Sequence, residues 1–148
     1  MRLRHDMLAH GVNVVCAEHG EKRGGLAIAW ATQVGTERVL ICVGSQSRTR
    51  GIILESGAFG VSVLAADQIE TARLFGRTSG KETDKFDGLA WHAGETGSPL
   101  LDDCITTLDC RVEEVHDRGE AKLIIGRIVS AERRRETCVP LVYREEDY

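Results

Sequence analysis

No apolar run in this chain approaches the ~20 residues that a bilayer-spanning helix needs, and no such span is expected. A basic surplus is missing as well. Lys and Arg number 19 against 23 Asp and Glu, a formal net charge of −4. Proteins that bind nucleic acid usually show the opposite balance, so no nucleic-acid partner is expected. The opening residues Met1-Arg2-Leu3-Arg4-His5-Asp6 lack the apolar core of a signal peptide, and a cytoplasmic location is the expectation. Cys16, Cys42, Cys104, Cys110 and Cys138 are odd in number and contain no CxxC pair. Cys42 lies in an apolar run and Cys110 at an alternating strand position, so both read as buried free thiols. A disulfide framework is not expected. His5, His10, His19, His92 and His116 show no metal-ligand spacing among themselves or with cysteine. No nucleophile–base pair stands out either, so no side chain is assigned a catalytic role. Proline is scarce, with two residues, and no linker, repeat or low-complexity stretch divides the chain.

What remains is one domain, residues 1–148, long enough to bury a sizeable core. Arg2–Ala9 reads as a short helix with Leu3, Met7 and Leu8 on one side. Val12–Ala17 reads as a strand, Glu18–Gly25 as a polar turn, and Leu26–Val34 and Val39–Val43 as two further strands. Val39-Leu40-Ile41-Cys42-Val43 is apolar throughout, as in a strand buried on both faces or inside a small barrel. Ser47 is a good N-cap for a helix through Ile52, Ile53 and Leu54 that stops at Gly57. Phe59–Leu64 returns to strand. Asp67, with Glu70 three residues on, reads as a capping box for a second helix with Ile69, Ala72 and Phe75 as its apolar stripe. Arg77–Gly97 reads as a loop anchored by Phe86, Leu89 and Trp91. Ile105–Ala131 is a long hairpin turning at Arg118-Gly119, with Leu108, Cys110 and Val112 on one face and Asp109, Arg111 and Glu113 on the other. Val139–Tyr143 is a last short strand. About six strands and two internal helices do not make a βαβ series. The pattern predicts a mainly β or α+β fold, an antiparallel barrel with helices packed outside.

The loop Gly44-Ser45-Gln46-Ser47-Arg48-Thr49 is the best anion site. A helix start offers unpaired N–H groups and the positive end of a dipole. Ser45, Ser47 and Thr49 add hydroxyls, and Arg48 and Arg50 add charge and forked donors. On this segment alone, an ordinary capped helix with exposed arginines is the favoured reading. Gly76-Arg77-Thr78-Ser79-Gly80-Lys81 is not a phosphate-binding P-loop, because the GxxxxGK[ST] spacing is incomplete.

Three segments in order resemble the flavin reductase-like family: Gly25–Val34 (GLAIAWATQV), Gly44–Gln68 (GSQSRTRGIILESGAFGVSVLAADQ), and FGRTSG with DKF between Phe75 and Phe86. The resemblance covers roughly Gly11 to Tyr143. It implies a six-stranded Greek-key split β-barrel of the FMN-binding type, FMN as cofactor, and a homodimer. Ala29-Trp30-Ala31-Thr32-Gln33 is similar to the flavin-edge strand of flavoredoxin-like members. By that likeness small Ala29 and Ala31 let the isoalloxazine approach the backbone, while Thr32 and Gln33 offer side-chain partners. Trp30 contributes backbone, its side chain going to the core or a dimer interface. In relatives the Phe75–Phe86 region lies over the cofactor or donor site. Arg77 and Lys85 are then either phosphate or dinucleotide contacts, or members of a solvated basic loop.

The chain departs from the family at three places. Many relatives carry Pro-Pro where Glu37-Arg38 stands, and flavoredoxin-like members often carry Lys in the loop that here holds Gly44 and Ser45. Many also have a hairpin His, thought to contact nicotinamide or flavin, where this chain has Ala121. The resemblance therefore implies FMN-dependent redox chemistry by one of two routes. One is NAD(P)H-dependent flavin reduction; the other is non-catalytic electron transfer to a protein redox partner. A cofactor-free barrel that binds another ligand in the same pocket is a third reading.

Overall fold

The computed structural model describes residues 1–44, 46–77, 84–136 and 139–148, with Arg77 described by its backbone alone. The elements in chain order are β1 (Asn13–His19), β2 (Lys22–Ile28), β3 (Ala31–Gln33), β4 (Arg38–Gly44) and α1 (Arg48–Ser56), followed by β5 (Ala58–Val63), α2 (Ile69–Arg77), β6 (Trp91–Ala93), β7 (Pro99–Leu101), β8 (Thr106–Asp117) and β9 (Ala121–Arg133). Seven strands form one sheet in the order β2-β1-β5-β8-β9-β4-β3, and β6 and β7 form a separate hairpin. Every pairing in the large sheet is antiparallel. The two edge strands, β2 and β3, are consecutive in sequence and parted only by Ala29 and Trp30. Such a short connection requires the sheet to curl until its edges approach. The fold is thus mainly β with two helices, a curled antiparallel sheet.

One core fills the inside of that curl, where Val15, Ile41, Phe59 and Ile124 meet Ile52 and Ile53 of α1. The second lies on the other side of β1, where Val14 and Cys16 pack with Leu64, Phe75, Phe86 and Leu101. Residues alternate across a strand, so β1 serves both cores and is buried almost throughout.

Several elements differ from the sequence expectation. Residues 2–9 form no helix: Leu3 and Leu8 are largely exposed, so no apolar surface rewards a helical stripe. Arg4 pairs with Asp6 and Glu146, and His5 with Glu145. The polar turn at 18–25 shrinks to Gly20 and Glu21, and Gly24 and Gly25 enter β2. A Cβ on Gly25 would lie 2.7 Å from the Phe75 ring, so this glycine permits close approach of α2. The strand expected at 26–34 is broken at Ala29 and Trp30. Strand β4 is buried on one face only: Val39, Ile41 and Val43 are buried, Leu40 and Cys42 half-buried.

Asp67 does not cap α2. Its carboxylate accepts from Arg135 at 2.8 Å, and Gln68 O accepts the first helical bond, from Ala72 N. The last expected strand reduces to isolated bridges, Gly11 with Val142 and Ala65 with Pro140. The expectations for Ser47, Gly57 and the long hairpin agree with the structure. Ser47 accepts from Arg50 N at 3.2 Å, and Gly57 takes a left-handed φ of 71°.

Candidate functional site

The break between β2 and β3 builds the site. Ala31 N donates to Ala29 O at 3.0 Å, closing a tight turn, and Trp30 O accepts from Cys42 N at 2.9 Å. These bonds occupy three of the backbone groups expected to face a ring: the Ala29 and Trp30 carbonyls and the Ala31 N–H. The turn throws the Trp30 side chain outward, where it is 44% exposed. Trp30 borders a cleft of about 220 Å³, walled by His5, Ala27, Ile28, Ala29, Cys42 and Tyr143. Trp30 also borders a cleft of about 180 Å³, walled by His10, Ala31, Thr32, Leu40 and Cys42. Thr32 and Gln33 are exposed beside them, so their side chains remain accessible to a ligand. Partial burial pushes the Cys42 thiol pKa up, which keeps it protonated at neutral pH and makes the wall between the clefts apolar.

Strand β4 links these clefts to the helix start. Leu40, Cys42 and Gly44 occupy alternate positions and so share one face. Two residues along a strand cover about 7 Å, so the face runs from the clefts to the 44–49 loop within the reach of one extended ligand. A Cβ on Gly44 would meet nothing within 4 Å, which marks open space at that end. The first turn of α1 contains no acidic residue, leaving the positive end of its dipole uncompensated.

The predicted anion ligands are placed unequally. Ser47 accepts the bond that caps α1. Arg48 folds back, its Nη1 donating to Arg23 O at 2.8 Å. Thr49 is buried with its hydroxyl against Gly24. Ser45 lies outside the described residues, as does the Arg77 side chain. Arg50 is half-buried, and its buried Nε has no partner. Its charge reaches the tip of the β8–β9 hairpin, where it helps Lys122 hold the Asp117 carboxyl below its usual range.

Lys85 is not a solvated loop residue. It is buried, and its Nζ donates to Gly25 O at 3.0 Å and Phe75 O at 3.1 Å. Burial lowers its pKa, and nearby Arg48 adds to the effect. In this position it ties β2 to α2. Among the described residues no group of three His, Cys, Asp or Glu side chains could hold a metal ion.

Sequence reasoning missed Cys42, Leu40, His5 and Tyr143 as cleft walls. For the first two, the alternation of β4 was the available signal. His5 and Tyr143 are distant in sequence, and only the fold brings them to Trp30.

Comparison with known proteins places the chain in a family. Residues 3–148 match the flavin reductase like domain. The chain belongs to the flavin reductase-like family. It is 39% identical over 106 residues to the reductase subunit of a flavin-dependent monooxygenase from Rhodococcus jostii, a stretch covering 72% of this chain and 53% of that protein. This chain thus spans about half the length of that relative. Among solved structures it resembles the NADH:FAD oxidoreductase of Streptomyces globisporus, with a TM-score of 0.79 and 30% identity, over 85% of this chain and 76% of that one. An FMN-binding protein from Thermus thermophilus shares the fold at a TM-score of 0.89 and 19% identity, over 100% and 89% of the two chains.

Proposed function

We propose that this flavin reductase-like protein binds FMN along β4 and works as an NAD(P)H-dependent oxidoreductase. The observation that carries the reading is the continuous face from the Trp30 clefts through Leu40 and Cys42 to the open helix start at Gly44. A flat ring fits the first part and a phosphate the last. Counting β2 and β3 as one interrupted strand, we read the curled sheet as the six-stranded Greek-key split barrel of FMN-binding relatives.

The residues present fit this cofactor. Ala29 and Ala31 are small enough for close approach, and Thr32 and Gln33 present exposed polar groups at the ring's edge. The Ser47-capped start of α1, with Arg50, would receive the phosphate. Arg48 and Thr49 flank it, and Lys85 fixes the backbone at Gly25, while any part played by Ser45 and Arg77 rests on the family likeness alone. Bound FMN would supply hydride and electron transfer, which agrees with the absence of a catalytic side chain in our assignment.

Absorbance titration of the purified protein with FMN, FAD and riboflavin tests the reading. Saturable binding with a clear preference for the phosphorylated flavins is the expected result. No binding of any flavin would leave the cofactor-free reading in its place.

A second reading, an electron-transfer flavoprotein serving a protein partner, is favoured by one residue. Ala121 pairs directly with Gly44, so the position at which many relatives carry His lies beside the phosphate loop. A methyl group cannot donate a hydrogen bond or stack to hold a nicotinamide in reacting position. Lys122 is no substitute, since its ammonium is tied to Asp117 at 2.8 Å. Slow bleaching of bound flavin by NADH or NADPH in anaerobic stopped flow, with a gain for Ala121→His, would select this reading. Fast bleaching in the unmodified protein would select the reductase.

A further inference from the structure

The two clefts meet at the break, where they share residues. Trp30 and Cys42 are walls of both the 220 Å³ and the 180 Å³ cleft. Cofactor pockets usually enclose roughly 300–1,000 Å³, so neither cleft alone takes a three-ring system. Trp30 is common to both, so its position bears on how far the clefts connect. The indole has a single polar group, and that Nε1–H donates to His5 O at 3.2 Å. The His5 ring adds a tilted contact with centroids 5.8 Å apart.

His5 belongs to a segment, residues 1–10, without helix or strand. Its apolar side chains Leu3, Met7 and Leu8 are 75%, 55% and 72% exposed, so packing does little to hold it. Charge holds it instead. Arg4 meets Glu146 at 2.6 Å and Asp6 at 2.8 Å, and His5 meets Glu145 at 2.8 Å. Asp6 accepts from Glu145 N at 2.9 Å, and Arg2 stands 3.5 Å from Glu145. The segment joins the body of the fold at His10, whose carbonyl accepts from Tyr143 N at 2.8 Å.

We propose that residues 1–10 are a latch: their charged clasp to Glu145 and Glu146 holds Trp30 where the two clefts meet, and its release joins them and admits the flavin ring. The proposal rests on the flavin reading of the cleft and adds how entry is regulated. Exposed ion pairs are individually weak and screened by salt, so the clasp is suited to opening and closing rather than to permanent closure.

Two measurements on the full chain test it. The first needs no ligand: hydrogen exchange of the two indole N–H groups, followed by NMR at low and high salt. Trp30 should exchange roughly threefold faster in Arg4→Ala, and in the unmodified protein at high salt, as for loss of exposed ion pairs; Trp91 should not change. The second is stopped-flow association of riboflavin, whose lack of charge keeps salt from acting on the ligand. Association should accelerate by a similar factor with salt in the unmodified protein and respond little in Arg4→Ala, which starts fast.

Unchanged Trp30 exchange overturns the latch, whatever the flavin does. Faster exchange with unchanged riboflavin association shows a loose segment that gates nothing, and overturns it too. If no flavin binds at equilibrium, the flavin reading fails, and the gating role falls with it.

Discussion

Arg50 and Arg48 look alike in the sequence, two basic residues at the start of one helix, yet the structure gives them different work. Arg48 is committed to Arg23 O, whereas the buried Nε of Arg50 has no partner. Arg50→Ala should therefore weaken FMN by about 1.5–3 kcal/mol, the range for hydrogen bonds to charged groups, and leave riboflavin nearly unaffected. Arg48→Ala should lower thermal stability and reduce both ligands' binding alike. Parallel titrations of the two variants decide this, and a selective FMN loss in Arg48→Ala alone would return the phosphate to Arg48.

The thiols follow the same rule of surroundings over type. Burial raises the Cys104 pKa to about 11 and the Cys110 pKa to about 12. An unfolded thiol ionises near pH 9, so the folded state retains protons that the unfolded state has lost. The stability these groups contribute is complete below pH 9 and is lost as pH rises through 11 and 12. Cys110→Ala should consequently melt below the unmodified protein at pH 8, with the gap narrowing at pH 10 and above. A gap that stays constant across that range would show that the thiol does not titrate in the unfolding transition.

Elements were legible from the sequence where their signal is local. Alternation marked β8, the Arg118-Gly119 turn marked β9 as its return, and the Ser47 cap with Gly57 marked α1, because each depends on neighbours in the chain. Asp109 was misread for the converse reason. A register shift falls between Asp109 and Cys110, so consecutive residues are both buried, and simple alternation fails across a bulge. Asp109 there accepts from Thr96 N at 3.0 Å and from its hydroxyl at 2.5 Å. The break at Ala29 and Trp30 was illegible because the closure of the whole sheet causes it. The latch at residues 1–10 was illegible because its partners are about 140 positions away. Close approach between elements is likewise hidden in the sequence. A Cβ on Gly60 of β5 would come within 2.6 Å of the Pro99 carbonyl oxygen on β7, and backbone cannot move aside as a side-chain tip can. Gly60→Ala should destabilise the fold by about 1–3 kcal/mol, as for an overpacked core. Denaturant unfolding measures it, and a loss below about 0.5 kcal/mol, typical of surface substitutions, would show that the β6–β7 hairpin gives way freely.

At the scale of the whole molecule, one face of the sheet carries an apolar row. Leu40 pairs with Ile125, and Cys42 with Leu123, so these four half-buried apolar side chains point the same way. Their row leads to the exposed Trp30, whose carbonyl binds Cys42 N. The helices pack instead mainly against β1, β2 and β5. The two clefts open beside this stripe, and Cys42 belongs to both clefts and stripe. A second copy laid on the stripe would cover it and roof the cofactor track at once, giving a homodimer in which flavin and interface share walls. A stable interface buries about 1,600 Å² in total, so a charge at its centre should be disruptive. We expect light scattering to give twice the 16.2 kDa of one chain at micromolar concentration. Leu123→Lys should halve that mass and weaken FMN in the same preparation, with circular dichroism confirming that the sheet is intact. A single-chain mass for the unmodified protein would sink the dimer. A dimer that survives Leu123→Lys with FMN affinity unchanged would place the interface on another face and leave the stripe to the flavin alone.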